Sequence, residues 1–133
     1  MPARKLPRIK KRIKTILLVE DVLTTAMLEK NILESAGYSV VPARDGKEAL
    51  DKTSQERFDL VITDILMPGM NGFELTERLK KDKSYKDVPV VIVTGKENDE
   101  DRRRGLNAGA EAYMLKSEFT SEGLLDTIER LIG

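Results

Sequence analysis

Five apolar runs punctuate the chain, each followed by a polar junction and then by a stretch with helical spacing. The first, Thr15-Ile16-Leu17-Leu18-Val19, ends in Glu20-Asp21. A helical pattern begins near Thr24 or Thr25, with Leu28, Ile32 and Ala36 at i, i+4 and i+8 and Gly37 as a natural terminator. Ser39–Ala43 is a second, shorter strand, and its Pro42 argues for an edge position. Asp45-Gly46 turns the chain into a helix over 47–55 with Ala49 and Leu50 inward. Leu60–Thr63 is the third strand, followed by a loop over Asp64–Gly72. Leu75 and Leu79 give the stripe of a third helix, which fades in the charged segment Lys80–Lys83. Val88–Val93 is a fourth strand, with Pro89 near its start where a missing N–H is tolerable, and it ends in Thr94-Gly95. Asn98 or Asp99 caps a charged helix that runs to about Ala108 and stops at Gly109. Glu111–Leu115 is the fifth strand and ends in Lys116. Thr120 or Ser121 caps a last helix with Leu124, Leu125, Ile128, Leu131 and Ile132 on one face.

Strands alternating with helices at this spacing suit right-handed βαβ crossovers rather than hairpins. The expected fold is α/β, a flavodoxin-like three-layer (βα)5 arrangement with a parallel five-stranded sheet in the order 2-1-3-4-5. Leu60-Val61-Ile62-Thr63 has the unbroken apolar character of a central strand buried on both faces, and it runs into Asp64 and a Pro68-Gly69 turn. A lone buried carboxylate is expensive, and ligands of such sheets sit at the C-terminal edge of the strands. Asp64 is therefore the first candidate for chemistry.

Composition narrows the field. At 133 residues, 40% of them apolar and 35% charged, the chain fits a single well-solvated domain. No apolar run is long enough to span a bilayer, so no membrane insertion is expected. Cysteine and histidine are both absent. Their absence excludes disulfides, thiolate and imidazole metal ligands, His-based general base catalysis and phosphohistidine carriage by this chain, and it fits a cytoplasmic location. The charges balance overall, but seven of the 23 basic residues lie within residues 1–14, which hold no acid. The reading is a basic N-terminal arm or linker (1–14) ahead of an acidic domain (15–133). No aromatic residue interleaves with those charges, which favours a solvated linker over a nucleic-acid contact.

The strand ends converge chemically. Strand one supplies Glu20 and Asp21, strand three Asp64, strand four Thr94 and strand five Lys116. Singly, each has an ordinary explanation: acids just after strands often cap the next helix, a fair reading for Asp21 and Asp99. Jointly, three carboxylates favour a cation, and with only oxygen ligands the natural one is Mg2+. An ammonium and a hydroxyl aimed at the same spot suit a tetrahedral oxyanion. The set reads as a device for holding a phosphoryl group on Asp64.

These residues resemble a response-regulator receiver domain, the phosphoacceptor module of two-component signalling, from about Thr15 to Ile132. The resemblance rests on Val19-Glu20-Asp21, on Asp64-Ile65-Leu66-Met67-Pro68-Gly69-Met70-Asn71-Gly72, on Thr94, and on Lys116 after Ala108-Gly109-Ala110-Glu111-Ala112-Tyr113. It implies that Asp64 is phosphorylated by a histidine kinase or its phosphotransfer domain. It also implies that Glu20, Asp21, Asp64 and the backbone carbonyl of Leu66 hold Mg2+, that Thr94 binds the phosphoryl group, and that Tyr113 is an aromatic switch. The readout surface implied is the fourth helix, fifth strand and fifth helix, facing a downstream protein. Three features depart from the common pattern: Glu20 replaces an Asp, Leu66 and Lys96 flank the path of attacking water, and Ser117 stands where a cis proline is usual. Leu23-Thr24-Thr25 and Lys116-Ser117-Glu118-Phe119 are similar to receivers fused to chemotaxis-type hybrid kinases, and the basic arm with an end at Gly133 suits a module once joined to one.

Three other functions compete. An aspartyl phosphatase would place a second acid two residues after the nucleophile, where this chain has Leu66. A flavin module would place a Gly- and hydroxyl-rich loop after strand one, where this chain has acids. A phosphorylation-independent interaction module would tolerate gaps in the acceptor set, and that set is complete.

Overall fold

Branched aliphatic runs without polar alternation satisfy their backbone best inside a sheet covered on both faces. In a computed structural model of the protein, which describes residues 12–95, 98–118 and 120–133, the runs take that place. β1 (Thr15–Val19), β2 (Ser39–Ala43), β3 (Leu60–Thr63), β4 (Val90–Thr94) and β5 (Ala112–Leu115) alternate with α1 (Leu23–Ser35), α2 (Gly46–Gln55), α3 (Gly72–Lys81), α4 (Asp99–Ala108) and α5 (Ser121–Ile132). A 3-10 turn over Lys116–Glu118 joins β5 to α5. The strands are all parallel and ordered β2-β1-β3-β4-β5, the flavodoxin-like order, with Pro42 on the edge strand β2.

Because side chains alternate across a strand, β1 feeds two cores. Leu17 and Val19 pack with Ala49, Val61, Leu75 and Leu79 on the side of α2 and α3. Ile16 and Leu18 pack with Leu33, Ile62, Leu124 and Ile128 on the side of α1 and α5. A third cluster joins Ile65, Phe73, Ile92, Ala110 and Tyr113.

Four helices start on a capping side chain. Asp45, Asn71, Asn98 and Thr120 accept the N–H of Glu48, Glu74, Asp101 and Gly123 at 2.8, 2.9, 2.7 and 2.9 Å. Asn98 is thus the cap of α4, with Asp99 in its first turn.

α1 departs from expectation. It starts at Leu23, ahead of Thr24 and Thr25, on a Val22 that has no capping side chain. Asp21 does not cap it; instead the Glu20 carboxylate accepts the Val22 N–H at 3.1 Å. Its inward stripe is also displaced by one residue: Glu29 and Leu33 are buried, Leu28 is 56% exposed, Ile32 is half-buried and Ala36 is exposed. One residue is about 100° of helical rotation, enough to carry Leu28 out to solvent.

Two strands are shorter than expected at their starts. β4 begins at Val90, because Pro89 has no N–H to give and the Val90 N–H goes to Glu111 Oε1 at 2.8 Å. Glu111 therefore serves the junction, and β5 begins one residue later, at Ala112.

Candidate functional site

Parallel register decides which residues leave the sheet together. Val19 pairs with Thr63, so Glu20 and Asp64 emerge side by side. The backbone continues the alignment past the strand ends, with Glu20 N–H on the Ala43 carbonyl at 2.9 Å and Asp64 N–H on the Val19 carbonyl at 3.1 Å. Thr94 closes β4 opposite Leu115, and Lys116 follows directly.

The Lys116 ammonium spans the two buried acids. Its Nζ donates to Glu20 Oε1 and to Asp64 Oδ2, each at 2.9 Å. Asp64 Oδ1 accepts the Ile65 N–H at 2.6 Å, so both oxygens of this carboxylate are oriented. One carboxylate oxygen from each of Glu20, Asp21 and Asp64 lies within 4.8 Å of the others, with Glu20 and Asp64 buried and Asp21 open to solvent. Burial pushes the Glu20 carboxyl above its usual range, against the hydrogen bond from Lys116 and with the charge of Asp64 adding to the rise. For Lys116 burial acts downward, but the hydrogen bonds to Asp64 and Glu20 carry the ammonium above its ordinary range. Three carboxylates against one ammonium leave the edge net negative. Close-set hard oxygens of this kind fit a divalent cation such as Mg2+.

The loop bearing Asp64 is held from beneath. Thr63 Oγ1 donates to the Asp64 carbonyl at 2.8 Å, and the Gly72 N–H donates to the Ile65 carbonyl at 2.9 Å. A Cβ at Gly72 would fall 2.2 Å from the Asp64 carbonyl oxygen and 2.9 Å from Ile65 Cα. Only glycine lets α3 start flush against this backbone, a reason for Gly72 that the motif alone does not reveal.

Of the residues singled out by sequence, Glu20, Asp21, Asp64 and Lys116 form one cluster, and Thr94 is fully buried at the same edge. Tyr113 stands apart from that cluster, packed with Ile65, Phe73, Ile92 and Ala110. The Leu66 side chain is 60% exposed. Among the described residues no peptide bond is cis, including the one before Ser117. Lys96, Phe119 and residues 1–11 of the expected basic arm lie outside the described residues.

One residue of the neighbourhood escaped the sequence reading. Glu29 on α1 is 3% exposed. Its pKa is pushed up to about 7, first by burial and then by Glu20, with Lys116 opposing and Asp64 adding. Tracing the helical stripe through Leu33 instead of Ile32 places Glu29 inward, which is the signal the sequence held.

Residues 16–129 match the family model of the response regulator receiver domain. The chain is 40% identical over 116 residues to a gliding motility regulatory protein of Myxococcus xanthus, covering 87% of this chain but 15% of that protein. It is 39% identical over 123 residues to Protein PilH of Pseudomonas aeruginosa, covering 89% of this chain and 97% of PilH. Among solved structures, chemotaxis protein CheY4 of Vibrio cholerae superposes with a TM-score of 0.84 at 34% identity, over 90% of this chain and 99% of that one. The receiver domain of sensor histidine kinase PA1611 from Pseudomonas aeruginosa PAO1, with a magnesium ion in its active site cleft, gives 0.84 at 29% identity, over 92% of this chain and 99% of that one. A family match that takes in the sheet and every residue of the acidic edge, with PilH matched at near full length, places this chain among the response regulator receiver domains.

Proposed function

We propose that this domain accepts a phosphoryl group on Asp64 from the phosphohistidine of a histidine kinase or its phosphotransfer domain, in a Mg2+-dependent reaction, and thereby switches a protein-binding face on α4, β5 and α5. The observation that carries this reading is Lys116 bridging Glu20 and Asp64 at 2.9 Å each, with Asp21 completing the acidic cluster. A carboxylate oxygen of Asp64 attacks phosphorus in line; the new P–O bond forms as the donor's P–N bond breaks, and imidazole departs with its electron pair. The product is an acyl phosphate. Having no histidine, the chain needs an external donor. Lys116 is placed to follow the charge from Asp64 onto the phosphoryl oxygens, with the Thr94 hydroxyl as a second donor. Glu20, Asp21, Asp64 and the Leu66 carbonyl would hold Mg2+, which would supply positive charge to offset that of the phosphoryl group. The magnesium ion in the active site cleft of the PA1611 receiver supports a cation at this edge.

The donor has a surface to rest on. Val22, Leu23, Met27 and Leu28, on and just before the first turns of α1, are exposed, as is Leu66 two residues past Asp64. An apolar rim beside an acidic cleft suits a protein donor that excludes water around the transfer. Kinship with PilH, CheY4 and the gliding motility regulator supports a place in, or alongside, a chemotaxis-type kinase system in the cytoplasm.

Intact-mass measurement after mixing with a small phosphoramidate and Mg2+ tests the acceptor. One phosphoryl group should add to the native chain, and none with chelator or in Asp64→Asn. Equal labelling of Asp64→Asn removes Asp64 as the acceptor.

A further inference from the structure

Tyr113 is only 9% exposed, and α4 builds the slot that holds it. Gly105 is buried on α4, and a Cβ there would meet Ile92 Cδ1 and Tyr113 Cδ2 at 3.0 Å each and Tyr113 Cε2 at 3.4 Å. The backbone itself does not call for glycine: positive φ occurs at Gly37, Gly69, Gly109 and Gly133, not at Gly105. Glycine inside a helix weakens it relative to alanine, so what Gly105 supplies is room for the ring. Three residues earlier, on the same face of the helix, the Arg102 guanidinium lies over the Tyr113 ring, 5.3 Å from its centroid. A cation there is attracted to the ring face. The next arginine but one, Arg104, covers Phe73 of the same cluster at 4.3 Å.

We infer that Arg102 and Gly105 are positioning residues for Tyr113, holding its ring in the buried orientation before any phosphoryl group arrives. Gly105 makes the slot and Arg102 closes it. In this chain the state of the α4–β5–α5 face is therefore set in large part by α4, and phosphorylation of Asp64 acts on a ring that is already turned in. The inference rests on the proposed function only in taking Tyr113 as part of the face a partner reads.

The chain has three tyrosines, Tyr38, Tyr85 and Tyr113, so uniform incorporation of 3-fluorotyrosine gives three 19F signals. Tyr85 is buried and Tyr38 half-buried, and they serve as protected and accessible references. Relaxation by a neutral soluble nitroxide then reports how far each ring meets solvent. Without donor, Tyr113 should be protected to the level of Tyr85. Arg102→Ala should raise its relaxation about two- to fivefold, the size of an exposed cation–π contact expressed as a population. Arg102→Lys, which keeps a cation, should fall between. Gly105→Ala crowds Tyr113 and Ile92 by a few tenths of an ångström and should raise the relaxation of Tyr113 above native, and the surface variant Arg102→Gln keeps the test decisive if the glycine variant folds poorly. Native Tyr113 as accessible as Tyr38, or unchanged in Arg102→Ala and Arg102→Gln, overturns the inference. Because the ring is read without donor, failure of Asp64 to label would sink the acceptor reading alone.

Discussion

A carboxyl group buried on α1 must settle its proton against three charged neighbours at the sheet edge. Glu29 rises from an ordinary 4.5 to about 7 when the chain folds, with burial as the main cause. Between these values the folded protein holds a proton that the unfolded chain has released, so the contribution of Glu29 to stability is fullest below about pH 4.5 and is lost as pH climbs through 7. The loss amounts to roughly 3 kcal/mol. Glu29→Gln copies the protonated shape without the titration. In urea melts with chelator present it should gain on the native protein by about 1–3 kcal/mol at pH 8 and match it near pH 4.5; equal differences at both pH values would mean that the ionisation is not responsible. The same residue marks where sequence reading stopped. Glu20, Asp21, Asp64, Thr94 and Lys116 were legible because each stands at a strand end, where sheet geometry alone sends it to one edge. Glu29 was not, because a glutamate in a helix reads as solvated until the phase of the helix is known, and Leu28, Ile32 and Ala36 offered a plausible but wrong phase.

At the scale of elements, the junction where α3, β4 and β5 meet depends on a clamp of two charged residues. Lys80 Nζ donates to the Val88 carbonyl at 2.9 Å and to Glu111 Oε2 at 2.8 Å, while Glu111 Oε1 takes the Val90 N–H at 2.8 Å. Glu111 thus joins the end of α3 to the start of β4 in the place where Pro89 interrupts the ladder. Glu111→Ala leaves the Val90 N–H without this acceptor and should cost about 1–3 kcal/mol. Glu111→Gln keeps an acceptor and loses only the charge, so it should cost less than half as much; thermal melts compare them, and equal losses would point to the ion pair alone. In sequence, Lys80 reads as the point where a helix fades into a charged surface, and β4 reads as starting two residues earlier, at Val88. Local pattern carries neither feature, because Lys80 and Glu111 stand 31 residues apart in the chain and are brought together only by the fold. Helix caps are the opposite case: Asn98 and Thr120 act within three residues of themselves, so local pattern narrows each to one of two neighbours, Asn98 or Asp99 and Thr120 or Ser121.

Across the whole molecule, the cleft and the surface beside it face different demands. On the proposed function, transfer needs the acidic edge, which a small phosphoryl donor has only to reach, whereas a protein donor must also dock. The two requirements separate experimentally because the exposed apolar rim of α1 touches none of the bonds that orient Asp64. Leu23 and Met27 are exposed enough to be replaced without opening a core. Leu23→Gln with Met27→Gln stays neutral, so it neither repels a phosphoryl group nor alters the charge around Glu20. Labelling by a small phosphoramidate should stay within about twofold of native, since no catalytic group has moved. Burial of two such side chains at an interface is worth about 2–4 kcal/mol, so transfer from a phosphorylated phosphotransfer domain should fall by about thirtyfold or more in kcat/KM. The loss should appear chiefly in KM, because docking precedes and does not alter the in-line step. If both donors slow together, the rim supports the acidic edge itself; if neither slows, the donor rests elsewhere, and exposed Leu66, two residues past Asp64, becomes the residue to replace.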